Sequence, residues 1–362
     1  MFSIYNNQDL MGQLFAAHGG KKLHHANLIY GGAGEDPLGI ALRLSAILLC
    51  ETNTACGTCP SCKRVEKLEH PDLNFTFPFV SGGNAVTADD FLKEFRSALL
   101  KNPFLDPDSW QRQITSKNQQ LQIPVKEIQN LQQKLSLTAA EGGNRVLIIW
   151  MPEQIKAAAS NKLLKLIEEP LPNTFIILVS HRKNKLLPTI VSRCAPWSCK
   201  PLNESSFNQH FANSPGQTKR LLSMVFAPNL GAAITAYDDP ESTQIDRFAE
   251  WMRTCYKGVP VEITSAVNEL ASLPKESVKT LILRSLHFLE RGFYHNVQNT
   301  STNATDLGEI NVQKLSNAVV PKGAADITRS LSACLLDLER NIHIKTTLTH
   351  TSYALHSAFR GN

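Results

Sequence analysis

The chain has no long hydrophobic run. Its longest apolar stretches, such as Leu44–Cys50 and Val146–Met151, fall far short of the ~18–20 residues needed to cross a bilayer, so no membrane segment is expected. The start, Met1 to Asp9, lacks a basic stretch followed by an apolar one, so no secretion signal is expected and a cytoplasmic location is the default expectation. Charge of one sign is also scarce. Lys and Arg total 37 against 32 Asp and Glu, a surplus of +5 that permits a local basic patch without demanding a nucleic-acid partner. Cysteine is sparse except in one place. Of eight, four crowd into residues 50–62 and the others (Cys194, Cys199, Cys255, Cys334) are scattered, which in a reducing compartment favours a metal site over a disulfide framework.

What is present is ordinary for a folded globular chain: 362 residues, 42% hydrophobic and 19% charged, which is roughly two to three domains' worth. No internal repeat is evident. Residues 28–31 predict a short buried strand ended by glycine, and 38–49 a helix. A helix face at Val125, Ile128, Leu131 and Leu135 precedes a central strand over 145–150; a helix over 154–169 ends at Pro170-Leu171-Pro172, and a third strand covers 174–180. Residues 1–199 therefore predict a parallel α/β layer fold. Beyond Pro201 helical patterns take over: 204–212, 217–226 and 230–237 as a small helical domain (200–241), then 242–257, 260–272, 275–295, 311–319 and 323–358 as an all-helical domain (242–362). Residues 296–306 have almost nothing to bury and predict a mobile loop.

The loop after the first strand, Gly31-Gly-Ala-Gly34-Glu35-Asp36-Pro37-Leu38, sits where a phosphate-binding loop would sit. The position fits and the chemistry does not. A working loop places Lys against the β/γ-phosphates and Ser or Thr on Mg²⁺, where this chain has Asp36, Pro37 and Leu38. Pro37 lacks an amide donor, and Glu35 and Asp36 repel a polyphosphate. The plainer reading is a glycine-rich turn capping a helix. The central strand ends in Trp150-Met151, which cannot hold Mg²⁺ or orient water, so the two sites needed for ATP hydrolysis lack their chemistry together. No other nucleophile or acid/base constellation replaces them.

Cys50, Cys56, Cys59 and Cys62 form two overlapping C-x-x-C turns plus a fourth thiol at a helix end. Four thiolates close a tetrahedral shell, so structural Zn²⁺ is the expectation, with an iron–sulfur cluster or free cysteines as the alternatives. Arg193, in Ser192-Arg193-Cys194, lies on a short connection leaving the third strand; a surface ion pair and a phosphate contact are both open. The basic run His181-Arg182-Lys183-Asn184-Lys185 reads as a ligand-facing or a solvated loop. The helix carrying Lys162-Leu-Leu-Lys165-Leu-Ile-Glu168-Glu169-Pro170 reads equally as a sheet-covering helix.

In order and together, these segments resemble the clamp-loader subunits of bacterial DNA polymerase III, members of the AAA+ superfamily. The carrying residues are His25-Ala26, the four-cysteine knuckle, His70-Pro71-Asp72, Ser160-Asn161-Lys162 through Pro170, and Ser192-Arg193-Cys194; they span the first 200 residues or so. The resemblance implies an AAA+ α/β domain, a helical lid and a helical collar for oligomerisation. Among the branches, the delta-prime type can lack the phosphate lysine and acidic strand end and still offer the Ser-Arg-Cys arginine. It therefore implies that this chain does not hydrolyse ATP, and that Arg193 acts in trans on ATP held by a neighbour. The implied partners are a gamma/tau-type ATPase and a delta-type subunit, and through the complex a sliding clamp and primed DNA. Two rival readings are an ATP-hydrolysing gamma/tau-type subunit and a zinc-dependent nucleic-acid-binding protein in which the knuckle contacts DNA.

Overall fold

A computed structural model describes residues 7–360, apart from 33, 82–86, 116–118, 137–138, 217–218, 220–221, 224–225, 239–244, 274, 276, 284, 287–288, 290–305, 308–309 and 312–320. Two compact units emerge: residues 1–115, 119–206 and 228–232 form one, and 116–118, 207–227 and 233–362 the other.

The first unit is built on a five-stranded parallel sheet. Its elements run α1 (Gln8–Gly19), β1 (Ala26–Tyr30), α2 (Pro37–Leu49), α3 (Pro60–Glu66), β2 (Leu73–Thr76), α4 (Leu92–Lys101), α5 (Pro107–Ile114), α6 (Val125–Ser136), β3 (Arg145–Trp150), α7 (Ala157–Glu168), β4 (Thr174–Ser180), α8 (Pro188–Val191) and β5 (Ala195–Ser198). The spatial order is β2-β3-β4-β1-β5. Tyr30 therefore lies beside Ser180 on one side and Ser198 on the other, so the loops leaving β1, β3 and β4 share the carboxyl edge where α/β sheets place ligands.

Both faces of the sheet are covered, which is why β3 and β4 read as uninterrupted apolar runs. The two-residue strand period splits them cleanly. Val146, Ile148, Trp150, Ile177 and Val179 join α2, α4 and α5 in one core, while Leu147, Ile149, Ile176 and Leu178 meet Ile128 and Leu131 of α6 and Leu163 and Ile167 of α7 in the other. Within the first core, Phe77 stacks on Phe95 at 4.1 Å and Trp110 meets both rings edge-on, its indole nitrogen donating to the Pro78 carbonyl at 2.8 Å.

In the second unit, Phe211 packs against Phe207 and Tyr237. Helices Ile245–Lys257, Pro260–Ser272, Pro321–Glu339 and Ile344–Arg360 follow. Trp251 and Ser352 join the first and last of these through a buried hydrogen bond of 2.9 Å. Gly258, at φ +74, ends the first helix where a Cβ would strike the His356 ring, which itself donates to the Cys255 carbonyl at 2.9 Å.

The expected α/β layer followed by helices is the fold observed. The strands at 145–150 and 174–180 fall where periodicity puts them, and the first strand lies two residues earlier than expected, at Ala26–Tyr30. Several expectations need correction. The helix expected from 154 starts at Ala157, because Met151 takes a left-handed conformation and Pro152–Gln154 coils into a 3₁₀ turn. The helix expected over 323–358 is two helices, broken at residues 340–343. The helix expected over 311–319 begins in a small antiparallel pairing of Asp306–Leu307 with Ile310–Asn311, and its remainder lies outside the described residues. So do most of the expected loop over 296–306 and parts of the helices expected over 217–226 and 275–295. Among the described residues no helix is long and apolar enough to cross a membrane.

Trp110→Ala, which empties a fully buried site, is expected to cost about 3–5 kcal/mol of stability. Urea unfolding followed by circular dichroism checks it, with a large drop in midpoint as the expected result.

Candidate functional site

The first amides of a helix have no partner inside it and attract anions. At the head of α2, Pro37 brings no amide and that of Gly39 already has a partner. Asp36, in a left-handed conformation at φ 46, caps the helix and accepts from the Gly39 amide at 3.0 Å. Glu35 bends back so that its Oε2 accepts from the Gly32 amide at 2.7 Å, and Gly31 donates to the Ser180 carbonyl at 3.1 Å. Gly34 holds φ +85, and a Cβ there would lie 2.4 Å from the Pro228 carbonyl; only glycine fits both demands. Enclosure of the Asp36 carboxyl raises its pKa well above the usual carboxylate range, against the opposing effect of the Gly39 amide. The loop thus meets the Gly32 and Gly39 amides with its own carboxyl oxygens.

The end of β3 carries Trp150 and Met151 and no carboxylate. Trp150 is fully buried, and its indole nitrogen donates to Nε2 of His181 at 3.0 Å, so that ring carries its proton on Nδ1. Desolvation brings the His181 pKa down to about 4, with Arg182 acting in the same direction and Asp106 opposing it. Glu153, beyond the strand, accepts from the Ser180 hydroxyl at 2.9 Å and the His181 amide at 3.2 Å, and burial pushes its pKa up. Sequence reading passed over Glu153, since it lies beyond the strand and its role depends on the β4 residues beside it. Of the basic run, Lys183 rests 4.1 Å from the centre of the Tyr30 ring.

The four cysteines predicted as ligands come together. Their sulfurs all lie within 4.8 Å of one another, with Cys50 3.7 Å from Cys56 and 4.0 Å from Cys59, and Cys56 4.0 Å from Cys62. An ion centred in a regular tetrahedron with Zn–S bonds of ~2.3 Å has ligand sulfurs about 3.8 Å apart. Backbone amides point at the sulfurs: Cys56 toward Cys50 at 3.5 Å, Cys59 toward Cys56 at 3.4 Å and Cys62 toward Cys59 at 3.4 Å. Such donors stabilise thiolate. Burial alone would raise the Cys50 pKa, but the Thr52 hydroxyl and nearby amides outweigh it and bring it down to about 5. Hydrogen bonds from Thr58 and Cys59 lower Cys56 to about 7, while burial raises Cys62 to about 12. The set can hold one tetrahedral ion.

His70 and Asp72 tie this knuckle to the sheet. The Asp72 amide donates to His70 Nδ1 at 3.1 Å, leaving Nε2 facing Glu141 at 3.3 Å. Asp72 accepts from the Ala140 and Glu141 amides at 2.8 and 3.0 Å. Ser61 and Arg64, on the helix that Cys59 caps and that carries Cys62, reach the same Glu141.

Arg193 is 40% exposed, and its Nε donates to Glu168 at the end of α7; Nη1 donates to the Thr189 carbonyl at 3.0 Å. It lines a cavity of about 400 Å³ with His24, His25, Glu168 and Cys194. The fold thus gathers three sequence-distant segments around this arginine.

Comparison with known proteins agrees with the resemblance seen in the sequence. A family model described as DNA polymerase III, delta subunit, matches residues 7–203. The DNA polymerase III subunit delta-prime of Pseudomonas aeruginosa is 29% identical over 62% of this chain and 58% of its own length; that of Bacillus subtilis is 29% identical over 63% of this chain and 56% of its length. The chain thus matches somewhat over half the length of these relatives. A gamma subunit-related protein of Thermotoga maritima aligns over 97% of this chain and 100% of its own at 14% identity and a TM-score of 0.45, a likeness too distant to add to them.

Asp36→Asn keeps the oxygen that accepts from Gly39 and removes the enclosed charge. Because the folded pKa is raised, the native state holds a proton that the unfolded chain releases, and wild-type stability falls as pH climbs through that window. The variant is expected to be the more stable protein at about pH 7, with the gap in urea midpoint closing toward about pH 4, the unperturbed Asp value.

Proposed function

The chain belongs to the DNA polymerase III delta-subunit family, and from that premise we propose that it serves as a delta-prime-type clamp-loader subunit that leaves ATP hydrolysis to its neighbours. The observation that carries this reading is the filled phosphate loop: the Gly32 and Gly39 amides are taken by Glu35 and Asp36. Pro37 withholds a further donor, and buried Trp150 occupies the place of an acid at the strand end. ATP is then bound by a gamma/tau-type subunit, with a delta-type subunit completing the assembly, and the complex opens the sliding clamp and sets it on primed DNA.

In this reading residues 1–199 form the AAA+ domain with zinc and arginine finger, 200–241 the lid and 242–362 the collar through which the subunits assemble. Arg193 reaches the γ-phosphate held by an adjacent subunit. Its guanidinium offers a planar fork of donors where charge develops during phosphoryl transfer.

The knuckle holds one structural Zn²⁺ on Cys50, Cys56, Cys59 and Cys62. Sulfurs about 4 Å apart are spaced to surround a single ion, whereas an iron–sulfur cluster spreads its thiolates over several irons. A closed shell of four thiolates leaves no position for a reacting water.

Two measurements test these assignments. Elemental analysis of the purified chain is expected to find one zinc per molecule and no iron, and Cys59→Ser to lower both zinc content and thermal stability; iron with labile sulfide would contradict it. In the reconstituted clamp loader, Arg193→Ala is expected to slow hydrolysis at the adjoining site by about 10³-fold or more, with clamp loading as the sharper readout because other sites keep their own arginines. Arg193→Lys should rescue poorly, since a point charge lacks the bidentate fork. Loading at the unmodified rate by an assembled Arg193→Ala complex would reduce Arg193 to a surface ion pair.

A further inference from the structure

We infer that Glu168 is a positioning residue for Arg193, an inference that rests on the trans-acting role proposed for that arginine. Three segments far apart in sequence meet around one cavity: His24 and His25 before β1, Ile167 and Glu168 at the end of α7, and Ser192 to Ala195 between α8 and β5. Each has a distinct part. The carbonyls of a helix's last turn lack partners inside the helix, and His25 Nε2 donates to that of Ile167 at 2.8 Å. This contact pins the end of α7 to the segment entering β1. Glu168, the next residue, then holds Arg193 through Nε, while the Thr189 carbonyl takes Nη1 at 3.0 Å.

Two anchors on different nitrogens fix the plane of the guanidinium as well as its place. Nη2 has no protein partner among the described residues, and the side chain remains 40% exposed. Nε and Nη1 are thus secured, and Nη2 is left to meet an incoming phosphate oxygen. An unrestrained arginine would lose much rotamer freedom on reaching such a ligand; here much of that ordering is done before the neighbour arrives. The exposed pair adds little to fold stability, so its consequence falls on orientation.

The test uses the reconstituted clamp loader containing this full-length chain, with kcat and KM for ATP and single-turnover clamp loading measured for Glu168→Ala, Glu168→Gln, Arg193→Ala and the double variant. Glu168→Ala is expected to lower kcat and loading on the order of 10-fold, the scale of a misplaced reacting group, with KM for ATP little changed and the melting curve of the chain unaltered. Glu168→Gln keeps an oxygen for Nε and should recover most of the loss. The double variant should be no slower than Arg193→Ala, because Glu168 acts only through that arginine. If Arg193→Ala slows loading while Glu168→Ala leaves it unchanged or speeds it, or if the double variant is slower still, the positioning role is wrong and the Arg193 reading stands. If neither single variant slows an assembled complex, the Arg193 reading itself falls.

Discussion

The amides at the mouth of the loop between β1 and α2 need acceptors from outside the helix, and in this chain the acceptors are its own carboxylates. Glu35 takes Gly32 and Asp36 takes Gly39. Several neighbouring features depend on that choice. Gly34 is held at positive φ against the Pro228 carbonyl, and Cys199 beside the two acids has its thiol pKa raised, by burial first and then by their charge. A nucleotide would have to displace two internal hydrogen bonds while finding no lysine in return.

In the proposed division of labour, where neighbouring subunits hydrolyse ATP, the rest of the first unit reads as support for surfaces that act on others. The sheet sets β5 beside β1, and the turn that feeds β5 carries Arg193. The cysteine knuckle stands at the other side of the sheet order, joined to the approach to β3 through Glu141, which receives Ser61 and Arg64 from α3 and faces His70. His70 and Asp72 thus lock the knuckle's helix to the segment before β3. A metal at the knuckle would stiffen that connection without entering any reaction.

Much of this was legible in the sequence, for identifiable reasons. The central strands β3 and β4 announced themselves because a doubly covered parallel strand is apolar throughout. The cysteines did so because their spacing leaves little else to do. The edge strands β2 and β5 were not foreseen: they are four residues each, and β5 carries Pro196 in an alternating burial pattern. The break at residues 340–343 was missed because the apolar period continues on either side of it. At the site, the sequence placed Glu35 and Asp36 at the loop but could not show that they bend back onto its amides. Nor could it show that His25, Glu168 and Arg193, more than 160 residues apart at their extremes, share one cavity.

The most direct test of the central claim is calorimetric titration of Mg·ATP into the isolated, contaminant-free chain. A loop filled by its own carboxylates predicts no saturable heat with ATP in the micromolar range and no Mg²⁺-dependent turnover. A micromolar dissociation constant accompanied by Mg²⁺-dependent release of phosphate would contradict it and make the chain an ATPase in its own right.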